Sequence, residues 1–292
     1  MALDTVNVGR SWRTPYKHNL LRKVLGREVS AKPPHGKDVR YLYDMTAGDG
    51  VGDGDWMLTC SPGLFVKFAM AGADEHGVTT KITLIEKAPQ TYKALRHSLL
   101  DRLPVLGWEI VRTEPGSQTW LYEGGLGPAY LNVMEGDAKH LEAHATRGDV
   151  VFVHNDPNHM QDFAMPERFI RRLRDQGALV SSMSTLGCNV GGLRRLPIEE
   201  RDNWYRQLDD IESGMPHNHN MVVARLVKDS DGHKDESYWG YAVHGPRSWT
   251  PRITDDMRRA FADCELHVGT DAESRRAVMD ELFLTKGERG AA

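Results

Sequence analysis

A glycine-rich loop that also carries carboxylates is the stretch whose residue types could bind a ligand most directly. Glycines stand at every second position from 48 to 54, and aspartates at 49, 53 and 55 lie among them. Glycine tolerates a positive φ and has no Cβ, so such a loop lets the backbone approach a bound molecule. The carboxylates would repel a pyrophosphate. The loop therefore predicts a ligand that carries positive charge.

Three common ligand loops do not match this stretch. A P-loop closes with Lys followed by Ser or Thr, and the loop contains no such pair. An EF-hand counted from Asp49 would place Val51 third and Cys60 last, where calcium needs oxygen ligands. Glycines at alternate positions also depart from the dinucleotide pattern GxGxxG. S-adenosylmethionine (SAM), which has an α-ammonium and a sulfonium but no phosphate, suits an acidic loop.

Two further acids follow predicted strands. Glu86 ends the strand Lys81–Ile85, and Gly136-Asp137-Ala138 follows the strand Tyr130–Met134. Ligands of parallel sheets bind at the carboxyl ends of the strands. We therefore expect Glu86 to accept the two ribose hydroxyls of a nucleoside and Asp137 to accept its adenine amino group. No His, Cys, Asp and Glu set has the spacing of a metal site, so we expect no metal.

Alternating strands and helices must position these loops. The predicted strands are Val39–Tyr43, Lys81–Ile85, Tyr130–Met134, Val150–Val153, Ala178–Met183, Met221–Val227 and Tyr238–Val243. Prolines at 62, 89 and 166 mark the first turns of crossover helices. Alternation at this spacing predicts an α/β fold with a doubly wound, mostly parallel seven-stranded sheet, and the last two strands predict a terminal antiparallel hairpin.

The predicted organisation is one large domain with additions at both ends. The segments are an N-terminal extension (1–38), a SAM-binding domain (39–250) with a helical insertion at about 187–218, and C-terminal helices (251–292) at Asp255–Ala262 and Asp271–Leu284. Within the extension, His18–Leu25 has the apolar spacing of a short helix. The segment Gly107–Gly127 is predicted to be irregular or partly extended. Ser61 is expected to cap the helix that Pro62 begins.

Composition narrows the class of protein. The chain has 292 residues, 40% of them hydrophobic and 27% charged, as in a globular protein. Its formal net charge is −4, so no overall basic field favours nucleic acid, although a local basic patch could. Three widely separated cysteines predict no disulfide framework. The sequence contains neither a signal peptide pattern nor a membrane-spanning run, and the cytoplasm is the expected location.

Four motifs follow the predicted strands in order, and together they resemble a known family. They are Asp44 with Ala47-Gly48-Asp49-Gly50, then Glu86, then Gly136-Asp137-Ala138, then Asn155-Asp156-Pro157-Asn158. This series resembles the class I (Rossmann-like) SAM-dependent methyltransferases over about residues 39–243. The resemblance implies that SAM is the cofactor and that it binds Asp44, Ala47, Gly48, Asp49, Gly50, Glu86, Lys87, Gly136, Asp137 and Ala138.

A narrower resemblance rests on the same loops. The Asp-x-x-Ala-Gly loop, the delayed Ser-Pro-Gly helix start and the run Leu84-Ile85-Glu86-Lys87 are similar to the three-Cys-motif partner group. That group consists of bacterial and phage methyltransferase-like proteins.

The end of the fourth strand holds the expected catalytic residues. In methyltransferases that act on adenine N6 or cytosine N4, this position resembles Asp/Asn/Ser-Pro-Pro-aromatic. There the polar side chain and a backbone carbonyl accept the amino hydrogens, and the ring stacks on a flipped base. The run here is Asn155-Asp156-Pro157-Asn158-His159. Asp156 and Pro157 match the first two positions of the pattern, whereas Asn158 and His159 replace its second proline and its aromatic residue. The resemblance implies that Asp156 orients the amine and that Asn155 or Asn158 assists. His159 can stack or accept a proton.

Two arginine-rich stretches are the expected contacts with nucleic acid. They are Arg168–Arg174 and Arg194–Arg206, the second of which includes Trp204 and Tyr205. Basic and aromatic residues together suit a single strand or an extruded base, although each stretch also fits a solvated helix surface. The leading hypothesis is a methyltransferase that modifies an exocyclic amine of nucleic acid, such as adenine N6.

Two other functions remain open. One is a SAM-binding, catalytically altered partner or scaffold protein of a larger system of phage or defence type. It is suggested by the altered motif after the fourth strand. The other is a different transferase or a dehydrogenase built on the same kind of sheet, which nicotinamide cofactor binding would reveal.

Overall fold

The computed structural model describes residues 14–30, 39–156, 164–186, 206, 219–230, 233–262 and 264–283. The chain forms two compact units: Met1–His154 with Asp175–Leu179, and Asn155–Arg174 with Val180–Ala292. The strands are β1 Val39–Asp44, β2 Thr79–Glu86, β3 Trp108–Glu114, β4 Ser117–Glu123, β5 Pro128–Glu135, β6 Val150–Asn155, β7 Leu179–Leu186, β8 His219–Ser230, β9 His233–Pro246 and β10 Glu265–Gly269. The α-helices are α1 Thr14–Ser30, α2 Trp56–Thr59, α3 Ser61–Ala71, α4 Pro89–Arg102, α5 Ala164–Asp175, α6 Thr250–Ala260 and α7 Ala272–Phe283.

The first unit is built on β1, which pairs in parallel with β2 on one side and with β6 on the other. β5 adds to β2 in parallel, and β4 and β3 follow in antiparallel order. Asp44 aligns with Leu84 of β2 and with His154 of β6, so these strands end at one edge of the sheet. The strands are rich in Val, Leu, Ile and Phe, whose side chains are buried along them.

Two helices, α3 and α4, pack on this sheet, and α1 packs on α3. The stripe of Tyr92, Leu95, Leu99 and Leu103 along α4 is buried, as predicted. α3 begins at Ser61, one residue earlier than predicted, because its cap is Cys60, whose Sγ accepts the N–H of Gly63 at 3.4 Å. α1 is longer than the predicted His18–Leu25 and packs against α3 with four completely buried apolar side chains. Within the extension, α1 therefore contributes to the core.

The segment Gly107–Gly127, predicted to be irregular or partly extended, is extended and contains the β3–β4 hairpin. Trp108 of β3 and Trp120 of β4 are almost fully buried. A shift in register between Ile110 and Arg112 marks a β-bulge, and Gly116 turns the chain with a φ of +73°. The bulge breaks the period-two alternation by which a strand is recognised in sequence, so the hairpin escaped prediction.

The second unit contains the predicted terminal hairpin in a longer form. β8 and β9 pair along His219–Ser230 and His233–Pro246, β9 pairs with β7, and β10 pairs with β8, all antiparallel. β10 was not predicted, because five residues between two helices are too few for a clear pattern. The C-terminal helices lie close to their predicted positions.

The α/β class, the parallel central strands and the terminal hairpin are confirmed, whereas the count of seven strands is wrong. The described residues form ten strands, because the β3–β4 hairpin and β10 were missed. The insertion at 187–218 lies outside the described residues except for Arg206, which is helical and exposed. The division at 38/39 and 250/251 stays a prediction. Within the described ranges, no helix combines the length and the apolar character needed to cross a membrane.

Candidate functional site

The ends of β1, β2 and β5 are joined by backbone hydrogen bonds. The N–H of Ala47 in the glycine loop donates to the carbonyl of Ile85 at 3.0 Å, and the N–H of Gly136 donates to the carbonyl of Glu86 at 3.0 Å. The N–H of Met45 donates to the carbonyl of His154 at 3.0 Å. The loops that sequence analysis selected after the first three strands therefore lie side by side at one sheet edge.

Glu86 connects β2 to the glycine loop. Its Oε2 accepts the N–H of Gly48 at 3.0 Å, and its Oε1 accepts the N–H of Ala88 at 2.8 Å. Burial raises the pKa of Glu86, and the hydrogen bonds from Ala88 and Gly48 oppose that rise. Each carboxylate oxygen can accept more than one hydrogen bond, so the residue can still receive donors from a ligand.

Three amides of the glycine loop have acceptors within the protein. Ala47 donates to β2, Gly48 donates to Glu86, and Val51 donates to Oδ1 of Asp49 at 3.0 Å. Gly48 has a φ of +68°, and a Cβ added there would meet no atom within 4 Å. The loop therefore offers open space beside Gly48 and carboxylate acceptors, which suit a positively charged ligand better than a phosphate.

Asp44, at the end of β1, is completely buried and pairs with His154. The Nδ1 atom of His154 lies 3.0 Å from Oδ1 of Asp44, and His154 is also almost completely buried. The N–H of Thr46 donates to the same oxygen at 3.3 Å. The other oxygen, Oδ2, has no hydrogen-bond partner among the residues that the structure describes. A buried carboxylate oxygen without a donor is costly, and a donor from a ligand would satisfy it.

Asp137 follows β5 and is held by two donors. Its Oδ1 accepts the N–H of Lys139 at 3.0 Å, and its Oδ2 lies 3.0 Å from Nζ of Lys87. Partial burial acts to raise the pKa of Asp137, but these two donors outweigh it and hold that pKa below the usual value. Gly136 has open space where a Cβ would stand, and Ala138 is buried. Lys87 thus joins the end of β2 to the loop after β5.

The second unit contains the candidate catalytic residues that are described. Asn155 is completely buried, and neither its Nδ2 nor its Oδ1 has a hydrogen-bond partner within the described ranges. Asp156 is half-buried. Pro157, Asn158 and His159 lie outside the described residues, and so does the stretch from Arg194 to Tyr205. No His, Cys, Asp and Glu cluster that could hold a metal occurs among the residues described.

Sequence reasoning missed three residues next to the site. His154 had a signal, since a polar residue stands in an otherwise apolar strand just before Asn155. Ser98 and Arg102 contact the glycine loop from α4 and lie four residues apart on one helix face. Their role had no signal in sequence, because the residues that they contact are about fifty positions away.

Comparisons with known proteins reveal a likeness in structure. No family model matches the sequence, and neither does any curated protein. Protein LPL1258 from Legionella pneumophila matches with a TM-score of 0.50 and 10% identity, over 91% of this chain and 99% of that chain. The chain has a Rossmann-like α/β fold.

Two other solved structures resemble the chain less closely. A putative O-methyltransferase from Klebsiella pneumoniae has a TM-score of 0.39 and 13% identity, over 77% of this chain and 79% of that chain. A putative class I SAM-dependent methyltransferase from Listeria monocytogenes has a TM-score of 0.39 and 10% identity, over 85% of this chain and 71% of that chain. The narrower likeness to the three-Cys-motif partner group stays a prediction.

Proposed function

We propose that this protein is a SAM-dependent methyltransferase that acts on an exocyclic amine of nucleic acid, such as adenine N6. The observation that carries the proposal is the position of Glu86. Its carboxylate accepts the N–H of Gly48, so an acid at the end of β2 lies against the glycine loop at the end of β1. Acids at this position bind ribose hydroxyls in nucleoside sites of doubly wound folds.

The donor groups of SAM match the acceptors of the site. Its two ribose hydroxyls would donate to Glu86, and its adenine amino group would donate to Asp137 beside the open space at Gly136. Its α-ammonium suits the acidic glycine loop and Oδ2 of Asp44, which has no hydrogen-bond partner among the described residues. The N–H groups of Ala47, Gly48 and Val51 are engaged, and the aspartates of the loop would repel a phosphate-bearing cofactor.

The chain itself would contribute orientation to the reaction. SAM, when bound, supplies an electrophilic methyl group on a sulfonium. Asp156 would accept a hydrogen of the acceptor amine and direct the nitrogen lone pair toward that methyl group. The buried amide of Asn155 would hold the strand end or the amine in place, because its polar atoms need partners. Alignment of two reactants can by itself supply much of the rate enhancement.

Nucleic acid as the acceptor is supported by the charge on α5. Arg168, Arg171 and Arg172 are exposed on this helix, and Arg174 is half-buried. Arg171 pairs with Glu167, so it is partly neutralised. Exposed arginines on one helix can contact successive phosphates, and such contacts weaken as salt rises. The acceptor class rests on this helix and on the motif at Asn155-Asp156.

The test is calorimetry with SAM and with S-adenosylhomocysteine, followed by transfer of a labelled methyl group to DNA, RNA and protein. Absence of binding to the purified protein would refute the proposal. If SAM binds, Asp156→Ala should abolish transfer and leave SAM affinity within about threefold, because the residue lies on the acceptor side. If Asp156→Ala abolished both SAM binding and methyl transfer, Asp156 would be part of a structural turn.

Binding without transfer to any acceptor would favour the second candidate, a SAM-binding partner or scaffold protein. That candidate is favoured by one specific observation, the absence of the second proline and the aromatic after Asp156-Pro157.

A further inference from the structure

The carbonyl of Gly50, in the middle of the glycine loop, accepts two short hydrogen bonds from side chains. Nε1 of Trp56 donates at 2.6 Å, and Oγ of Ser98 donates at 2.7 Å. A Cβ at Gly50 would lie 2.6 Å from Cδ1 of Leu95, so this part of the loop packs directly on α4. Gly48, two residues earlier, instead adjoins open space.

Arg102 completes this contact from the next turn of α4. Its guanidinium donates to Oγ of Ser98 at 2.6 Å and lies 3.5 Å from the carbonyl of Val51. The same group stands over the ring of Trp56, 5.6 Å from its centre. Because the guanidinium occupies a lone pair of the Ser98 hydroxyl, that hydroxyl is oriented to donate to Gly50. We call Trp56, Ser98 and Arg102 the loop brace.

A loop of this composition needs such a restraint. Gly48, Gly50, Gly52 and Gly54 all have positive φ values, and glycine loses more conformational freedom on ordering than any other residue. A ligand that met an unrestrained loop would have to order it on binding, and that ordering would lower the affinity. The loop brace orders the loop before any ligand binds, because its side chains donate hydrogen bonds to the backbone carbonyls of Gly50 and Val51.

The helix that carries Ser98 and Arg102 also follows Glu86, the acid at the end of β2. α4 begins at Pro89, and the N–H of Ala88 just before it donates to Oε1 of Glu86. One helix therefore fixes both the turn beside Glu86 and, through Ser98 and Arg102, the glycine loop. The two halves of the candidate site are held at a set separation by a single rigid element.

We propose that Ser98 and Arg102 are positioning residues that preorganise the glycine loop for its ligand. This inference rests on the proposed SAM site, because the ligand of the loop is taken to be SAM. Neither residue is proposed to touch the cofactor. They would raise the affinity indirectly, because their hydrogen bonds to the carbonyls of Gly50 and Val51 fix the conformation of the loop.

The variants Ser98→Ala and Arg102→Met test the inference, with Arg102→Lys as the conservative replacement. His97→Ala is the matched control, because His97 lies on the same helix, is exposed and pairs with Asp101. The dissociation constant (Kd) of S-adenosylhomocysteine is measured by calorimetry for each protein. Amide hydrogen exchange of residues 46–55 is measured with and without that ligand.

We expect Ser98→Ala and Arg102→Met to raise Kd by about fivefold to tenfold, with a more unfavourable binding entropy, because each removes one direct hydrogen bond to a carbonyl of the loop. Exchange should rise within residues 46–55 and return to the wild-type level when ligand saturates. Arg102→Lys should recover most of the affinity, and His97→Ala should match the wild type.

Other results would overturn the inference in distinguishable ways. If the wild type binds the ligand and both variants bind it equally well, the brace has no positioning role. If exchange rises across β1 and β2 and ligand does not reverse it, the brace stabilises the fold instead. If the wild type itself does not bind, the proposed cofactor site fails, and the positioning inference fails with it.

Discussion

Replacing Glu86 with glutamine separates the role of this residue in binding from its role in stability. The substitution keeps the size of the side chain and one carbonyl oxygen, but it replaces the second acceptor with an amide NH₂. Either Gly48 or Ala88 then loses the acceptor of its N–H. The loss of one such bond costs about 1 kcal/mol of stability.

This loss is offset at neutral pH because the buried carboxylate is itself unfavourable. Burial raises the pKa of Glu86, so protonation favours the folded state. That contribution to stability is complete below the unfolded pKa of about 4.3 and disappears as pH rises through the folded pKa. Glu86→Gln cannot titrate. The wild type should therefore lose stability relative to the variant across this window, and the difference near pH 7 should lie within about 1 kcal/mol.

Cofactor binding should respond far more strongly. A hydroxyl that donates to a charged acceptor contributes about 1.5–3 kcal/mol, and glutamine can replace at most one of the two acceptor oxygens. The Kd for S-adenosylhomocysteine should therefore rise by about 10-fold to 150-fold. Calorimetry at pH 8 gives this Kd, and urea unfolding from pH 4 to pH 8 gives the stability.

Glu135→Gln is the matched control for this experiment. Glu135 aligns with Glu86 on β5 and is exposed, so the same chemical change should leave Kd within about twofold. The reasoning is refuted if a folded Glu86→Gln protein binds as tightly as the wild type. It is also refuted if the stability difference does not change with pH.

Three other perturbations have definite expectations. Gly48→Ala should lower the free energy of unfolding by about 1–2 kcal/mol, because its backbone is left-handed, and should block cofactor binding. Gly50→Ala should lower the free energy of unfolding by about 1–3 kcal/mol more, because its Cβ would collide with a leucine methyl of α4. Urea unfolding measures the two losses of stability, and calorimetry measures binding. Asp137→Asn should weaken cofactor binding several-fold. It should also lower stability slightly, and acid unfolding should show this difference disappear as pH falls through the pKa of Asp137, which lies below its usual value of about 3.9. Arg168→Ala with Arg172→Ala should weaken binding of a labelled oligonucleotide and reduce the slope of log Kd against log salt by up to about 2.

The strand ends could be predicted from sequence because their signals are local. A buried strand that ends in an acid identifies a loop at a sheet edge, and the structure places Glu86 at the end of β2 and Asp137 just after β5. The β3–β4 hairpin could not be found in this way, because a bulge breaks its alternation. The cap of α3 was misplaced because cysteine seldom caps a helix, and Ser61 next to it is the usual choice.

Contacts between distant segments remained invisible to sequence analysis. Ser98 reaches Gly50 across 48 positions, and His154 reaches Asp44 across 110. Nothing in the spacing of these residues relates one to the other, because the folding of the sheet brings them together. The buried pair at Asp44 and the loop brace could therefore be recognised only in three dimensions.

The bulge in β3 has a consequence for the behaviour of the protein in solution. β3 is the last strand at its end of the described sheet and carries Ile110 and Val111 exposed to water. A straight apolar edge would offer its free N–H and C=O groups to a strand of another molecule. Here the bulge interrupts the row of backbone groups, and the charges of Glu109 and Arg112 flank it. The sheet can thus end in a hydrophobic strand without becoming a template for aggregation.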